Sequence, residues 1–196
     1  SYVLMTHMHH DHSGGLTKLN ENYQLVSTFP NAKIFVNDIE WYEMMNPNNR
    51  TKGTYLRENW EPIQHQVETF TEYLNVIPEI QMVHTGGHSN GHSIILLKQG
   101  NETMIHMADL LLTHAHRKPV WVAAVDDYPM RSIIAKEKWL KEAFENHYKF
   151  FFYHDQFFAV VEFDNEGKEI VDYVKRIREP RLPFTDKQDR KPALYH

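Results

Sequence analysis

Along most of this chain the apolar positions come in short alternating or clustered blocks, and only one long stretch repeats at helical spacing. Tyr2-Val3-Leu4-Met5, Ala32 to Val36, Glu79 to Val83, Ser93 to Lys98, Glu102 to Met107 and Lys149 to Tyr153 each read as a strand. Gln99-Gly100-Asn101 supplies a hairpin turn, and Asn165-Glu166-Gly167 another between strands at Phe157 to Phe163 and Glu169 to Val174. The helical stretch runs from Pro129 to about His147, with Ile133, Ile134, Trp139, Leu140 and Phe144 expected to face the core. A second helix is expected through Met45, capped by Asn37-Asp38, and a third opens at Leu16 to Asn20. Asn46 to Arg50 is turn chemistry. Thr51 to Thr71 has no clean period and reads as a long substrate-side loop with helical pieces.

Composition narrows the class. With 196 residues and 41% hydrophobic content, one sizeable core and one domain are expected. Lys plus Arg number 21 against 26 Asp plus Glu, a net charge of −5, which argues against a nucleic-acid partner. No apolar run approaches the roughly 20 residues that span a bilayer, so no membrane partner is expected. Cysteine is absent, so any metal ligand must be nitrogen or oxygen.

The chemistry concentrates in His7-Met8-His9-His10-Asp11-His12, an HxHxDH run followed by Ser13-Gly14-Gly15. Such a cluster is costly to bury without partners. His7 and His9, two apart at the end of a strand, point the same way. The turn that follows carries Asp11 and His12 to a second position, so one motif can serve two adjacent ions. Downstream lie His84-Thr85-Gly86-Gly87-His88-Ser89, the run Met104 to Asp109, and His154 directly after Lys149 to Tyr153.

These segments, in this order, resemble the metallo-β-lactamase superfamily from Ser1 to about Lys175. The resemblance implies an α/β (α+β) fold, the αββα four-layer sandwich, and a catalytic domain over 1–175. Several strands normally precede the first motif in that family, so the chain is expected to be the carboxy-terminal part of a longer protein. Residues 176–196, basic and Pro-rich, are expected to form a loosely ordered tail. By carry-over, His7, His9 and His88 hold one ion and Asp11, His12 and His154 the other. Asp109 bridges them, and the ions lie about 3.5–4 Å apart with a hydroxide between. Asp109 and Asp11 are the catalytic carboxylates, Asp11 as candidate proton donor. Zinc is the default for the two divalent ions, with Mn, Fe or Co tolerated by such ligands.

The true β-lactamases generally place a cysteine at the second ion, so penicillin hydrolysis is not expected. The ligand order is most similar to the quorum-quenching N-acyl-homoserine lactone lactonases, which implies hydrolysis of a lactone or ester carbonyl. Leu112 stands where the best-known lactonases carry a tyrosine. The alternatives are a phosphotriester or phosphodiester hydrolase on the same ions, and a non-hydrolytic di-iron or metal-binding protein. His84 and His92 are expected to brace the His88 loop, whereas His114, His116 and Trp121 are pocket candidates against an ordinary-loop reading. His10 is expected to face solvent, and His106 to be buried and satisfied. The expected partner is a small ester or lactone, the candidate assembly a homodimer, and the expected compartment the cytoplasm.

Overall fold

The computed structural model describes residues 1–176. From the amino terminus the elements are β1 (Tyr2–Leu4), α1 (His10–Ser13), β2 (Thr17–Leu19), β3 (Leu25–Ser27), β4 (Lys33–Asn37), α2 (Asp38–Met45), α3 (Arg57–Trp60) and β5 (Val67–Phe70). Then come β6 (Tyr73–Ile77), β7 (Ile80–His84), β8 (Ser93–Gln99), β9 (Glu102–His106), α4 (Pro129–Glu145), β10 (Lys149–Phe151), β11 (Phe158–Phe163) and β12 (Ile170–Lys175). A parallel sheet runs β1-β4-β5, and a larger one runs β12-β11-β10-β9-β8-β7-β6. In the larger sheet only β9 and β10 are parallel.

Four layers follow from side-chain alternation on the two central strands. In β4, Ile34 and Val36 pack outward with Met44 of α2, while Phe35 turns inward to Phe70, Met82 and Ile95. In β8, Ile95 and Leu97 join that inter-sheet layer, while Ile94 and Leu96 pack against Trp139 and Leu140 of α4. Each strand is buried on both faces, so the order is α2, small sheet, large sheet, α4. That is the α/β sandwich the resemblance implied.

Four sequence expectations are corrected. Leu16 to Asn20 opens no helix: β2 pairs with β3 through a turn in which the Asn20 side chain accepts from the Asn22 and Gln24 amides. Local side-chain bonding of this kind competes with helix. Thr51 to Thr71 contains α3 and a 3-10 segment at Glu61–Gln66, as expected, but it ends in strand β5, and β6 follows. Ile134 is 62% exposed, because Ala135 and Lys136 take the inward positions. Arg176 belongs to the domain. Its amide donates to the Phe157 carbonyl and its guanidinium to the carbonyls of Phe152 and Asp155. Residues 177–196, the rest of the expected tail, lie outside the described residues. Among the described residues no helix is long and apolar enough to cross a membrane.

Candidate metal centre

The candidate ligands sit on segments that leave β1, β7, β9 and β10, strands whose carboxy-terminal ends share one rim of the sandwich. The Ser93 amide donates to the Thr6 carbonyl at 2.8 Å, which ties the first motif to β8. His9 caps α1, and Asp11 and His12 lie within it. The loop carrying His88 turns on Gly86 and Gly87, with φ of 63° and 104°. A Cβ on Gly87 would fall 2.9 Å from the Ser132 Cα of α4, so glycine is required there for space as well as for conformation. Asp109 follows Ala108, a non-glycine residue at φ 45°.

The structure gathers these residues into two groups, His7 with His9 and His88, and Asp11 with His12, Asp109 and His154; within each, one ligand atom per residue lies within 4.8 Å of the others. Asp109 stands between the groups. Its Oδ2 is 3.8 Å from His7 Nε2 and 3.3 Å from His88 Nε2; its Oδ1 is 3.2 Å from both His12 Nε2 and His154 Nε2. Asp11 Oδ2 lies 3.4 Å from His12 Nε2 and 3.6 Å from His154 Nε2.

The donor set fits a pair of cations. His88 Nδ1 is 2.9 Å from Asp126 Oδ1, and a carboxylate only accepts, so Nδ1 carries a hydrogen, which in the neutral imidazole leaves the lone pair on Nε2. That lone pair faces His9 Nδ1 at 2.9 Å and the Asp109 carboxylate. Among the described residues, the buried Nε2 atoms of His7, His9, His12 and His154, and Asp109 Oδ1, have no hydrogen-bond partner. So many unpartnered polar atoms converging on one spot would be costly unless the imidazoles presented lone pairs that a cation satisfied.

Electrostatics match. Burial, then the charge of His12, holds the His7 imidazole well below its ordinary value, and burial with the charge of His88 lowers His9 to about 3. Both are therefore neutral at pH 7. Burial would raise the Asp109 carboxyl, but His12, His88 and His154 together hold it below the usual range. Burial works to lower His88 too; Asp126 and Asp109 more than offset it.

Two acids that support the site carried no ligand-like signal in the sequence. Glu40, fully buried on α2, accepts from the Met8 amide, the Tyr55 hydroxyl and the Ser89 hydroxyl. It thereby links the first motif to the His88 loop. Asp126, on the loop before α4, orients His88. In both cases a buried carboxylate is visible only once the fold brings distant segments together.

The other candidates fall into place as follows. His84 Nε2 is 2.8 Å from the Asn90 carbonyl, and His92 Nδ1 is 3.0 Å from the Thr85 hydroxyl, so both brace the His88 loop. His114 pairs with buried Asp155 at 2.5 Å, and His116 bonds Thr113. Leu112 is half-buried, directly after the 3-10 turn that carries Asp109, and Trp121 is 49% exposed. His10 is exposed, and His106 bonds the Phe151 carbonyl. Tyr153 packs 5.0 Å from His12, ring to ring, and its hydroxyl donates to the Asp11 carbonyl.

Residues 1–145 match the metallo-beta-lactamase superfamily. The chain belongs to that superfamily. Among solved structures, this metallo-β-lactamase chain is similar to a probable metal-dependent hydrolase from Staphylococcus aureus, with 39% identity and a TM-score of 0.87 over 92% of this chain and 64% of that one. It is also similar to AidC, a dizinc quorum-quenching lactonase solved with a product (18% identity, TM-score 0.72, 91% of this chain and 65% of that one). A third is an N-acyl homoserine lactone hydrolase with N-hexanoyl-L-homoserine at its catalytic metal centre (21% identity, TM-score 0.60, 79% and 55%). At those identities the last two bear on the fold alone. No curated protein matches the chain. The chain thus spans about two thirds or less of these structures' length. Superfamily membership implies divalent metals, and the two His/Asp groups are where this chain could hold them.

Proposed function

We propose that the protein is a dinuclear metal-dependent hydrolase acting on a lactone or ester carbonyl, of the N-acyl-homoserine lactone type. The observation that carries the reading is the orientation of Asp109, one oxygen toward His7 and His88 and the other toward His12 and His154. A carboxylate so placed would offer one oxygen to each of two cations. His7, His9 and His88 would hold one, Asp11, His12 and His154 the other, with zinc as the default metal. When bound, such a pair supplies Lewis acidity and a hydroxide nucleophile at neutral pH.

The chain's own residues do the rest. The lowered values of His7 and His9 keep their nitrogens available as donors at neutral pH. Asp126 fixes the tautomer of His88, and Glu40 holds the two ligand loops at a constant separation. The Asp11 side chain is 42% exposed, the more open of the group's two carboxylates, and would be placed to take the proton that the nucleophile gives up on attack and pass it to the departing alkoxide oxygen. Leu112 supplies no hydrogen-bond donor to an oxyanion, so its role would be limited to apolar contact with substrate.

The test is hydrolysis of an acyl-homoserine lactone and of a chromogenic phosphotriester by the metal-loaded full-length protein, with and without chelator. Lactone turnover abolished by chelator and by Asp109→Ala supports the proposal. Full turnover in Asp109→Ala would refute a two-ion mechanism, and phosphotriester turnover alone would move the substrate class to phosphorus.

A further inference from the structure

A second concavity lies apart from the metal groups. It is a cleft of about 460 Å³ between the start of α2, the His88 loop and the outer side of α4, and none of the seven candidate ligands lines it. Its walls are Ile39, Ile134 and Trp139, and its polar groups are Arg131, Lys138 and His84. Three observations point to a ligand. Ile134 is 62% exposed on its lip, an apolar side chain the core does not use. Among the described residues neither Arg131 nor Lys138 has a carboxylate partner. The Lys138 ammonium lies over the Trp139 ring at 4.8 Å, and Arg131 Nη1 donates to the Asn90 amide oxygen at 2.5 Å. A neutral carbonyl thus stands where a carboxylate oxygen would bind a guanidinium more strongly.

We propose that this cleft binds an amphiphilic monocarboxylate, its head on Arg131 and Lys138 and its chain along Ile39, Ile134 and Trp139. Two cations beside apolar walls match one anionic head carrying a short hydrocarbon body. Glu43 accepts from the Asn90 amide nitrogen at 2.6 Å, so its carboxylate and the Arg131 guanidinium are held by the same side chain rather than by each other. Because Asn90 also accepts from His84 through its carbonyl, a ligand that draws Arg131 away from Asn90 bears on the loop carrying His88.

The probe is octanoate, titrated by calorimetry into the metal-loaded full-length protein, with 1-octanol and acetate as comparisons. Saturable binding of octanoate but not of the other two is expected. In Arg131→Gln/Lys138→Gln, two exposed positions whose change spares the core, the dissociation constant should rise at least about tenfold. In Asp109→Asn it should stay within about twofold, because the cleft and the metal groups share no residue. Binding unchanged in the double variant, binding lost in Asp109→Asn, equal binding of octanol, or no saturable heat in the millimolar range would each overturn the proposal.

Discussion

Asp126 decides which nitrogen of His88 is bare, and Glu40 decides how far His88 stands from the first motif; neither would be a ligand. Outer partners of this kind typically change metal affinity by about 10–100-fold when removed. Asp126→Ala should therefore weaken zinc binding by about that factor while leaving the fold intact, as read by competition with a chromophoric chelator and by circular dichroism. An unchanged affinity would mean that His88 keeps its tautomer without Asp126. Glu40→Ala leaves the Met8 amide and the Tyr55 and Ser89 hydroxyls without their buried acceptor, at a cost of about 1–3 kcal/mol or more. Thermal denaturation should show a loss of at least several degrees for a chain of this size. The cluster that the fold gathers into two groups was legible, because histidines and an aspartate at such spacing have no packing explanation. Asp126 and Glu40 were not, since a single acid in a sequence reads as solvated until its partners are known.

Elements whose character is set by their own residues were readable, and those set by a neighbour were not. The Asn37 cap of α2 lies in local chemistry, with its side chain accepting from the Ile39 amide. By contrast β5 and β6 lack a clear pattern, and they are strands because β4 and β7 offer them hydrogen-bonding edges. α4 misled at Ile134 because the helix buries Lys136 instead, whose ammonium donates to the carbonyls of His116 and Trp121. Close contact between elements yields a sharp prediction at Gly91. A Cβ there would meet the Glu40 backbone nitrogen at 2.1 Å, and backbone cannot swing aside. Gly91→Ala should thus cost more than about 3 kcal/mol and reduce metal content in whatever folds, measured by denaturant unfolding and metal analysis. Ala108 is the converse case: at φ 45° it sits in backbone that favours glycine, directly before Asp109. Ala108→Gly should be neutral or stabilising by up to about 1 kcal/mol, whereas Ala108→Val should be clearly destabilising in the same assay.

For the whole molecule, the candidate centre stores a conflict that metal would relieve. His7, His9 and His92 all have protonation disfavoured by burial first and by neighbouring imidazolium charge second, with His9 reaching about 3. An unfolded chain takes up those protons near pH 6.5 and the folded one resists them, so their contribution to stability is present above about 6.5 and is lost as pH falls toward 3. His88 runs the other way, since Asp126 and Asp109 outweigh its burial and its protonated form is favoured by folding. Glu40, pushed up by burial, runs with His88, while His106 and His116, lowered by burial, run with the other three. Five groups against two leave a net loss on acidification, and Asp109, held below the usual carboxyl range, adds to it only at lower pH. The metal-free protein should therefore melt at lower temperature at pH 5 than at pH 7.5. Saturating zinc should raise the melting temperature at pH 7.5 and do so much less at pH 5, because protons and metal compete for the same nitrogens. Calorimetry at the two pH values, with and without zinc, checks both statements together. A zinc shift of equal size at both would mean that the ion binds through groups other than these histidines.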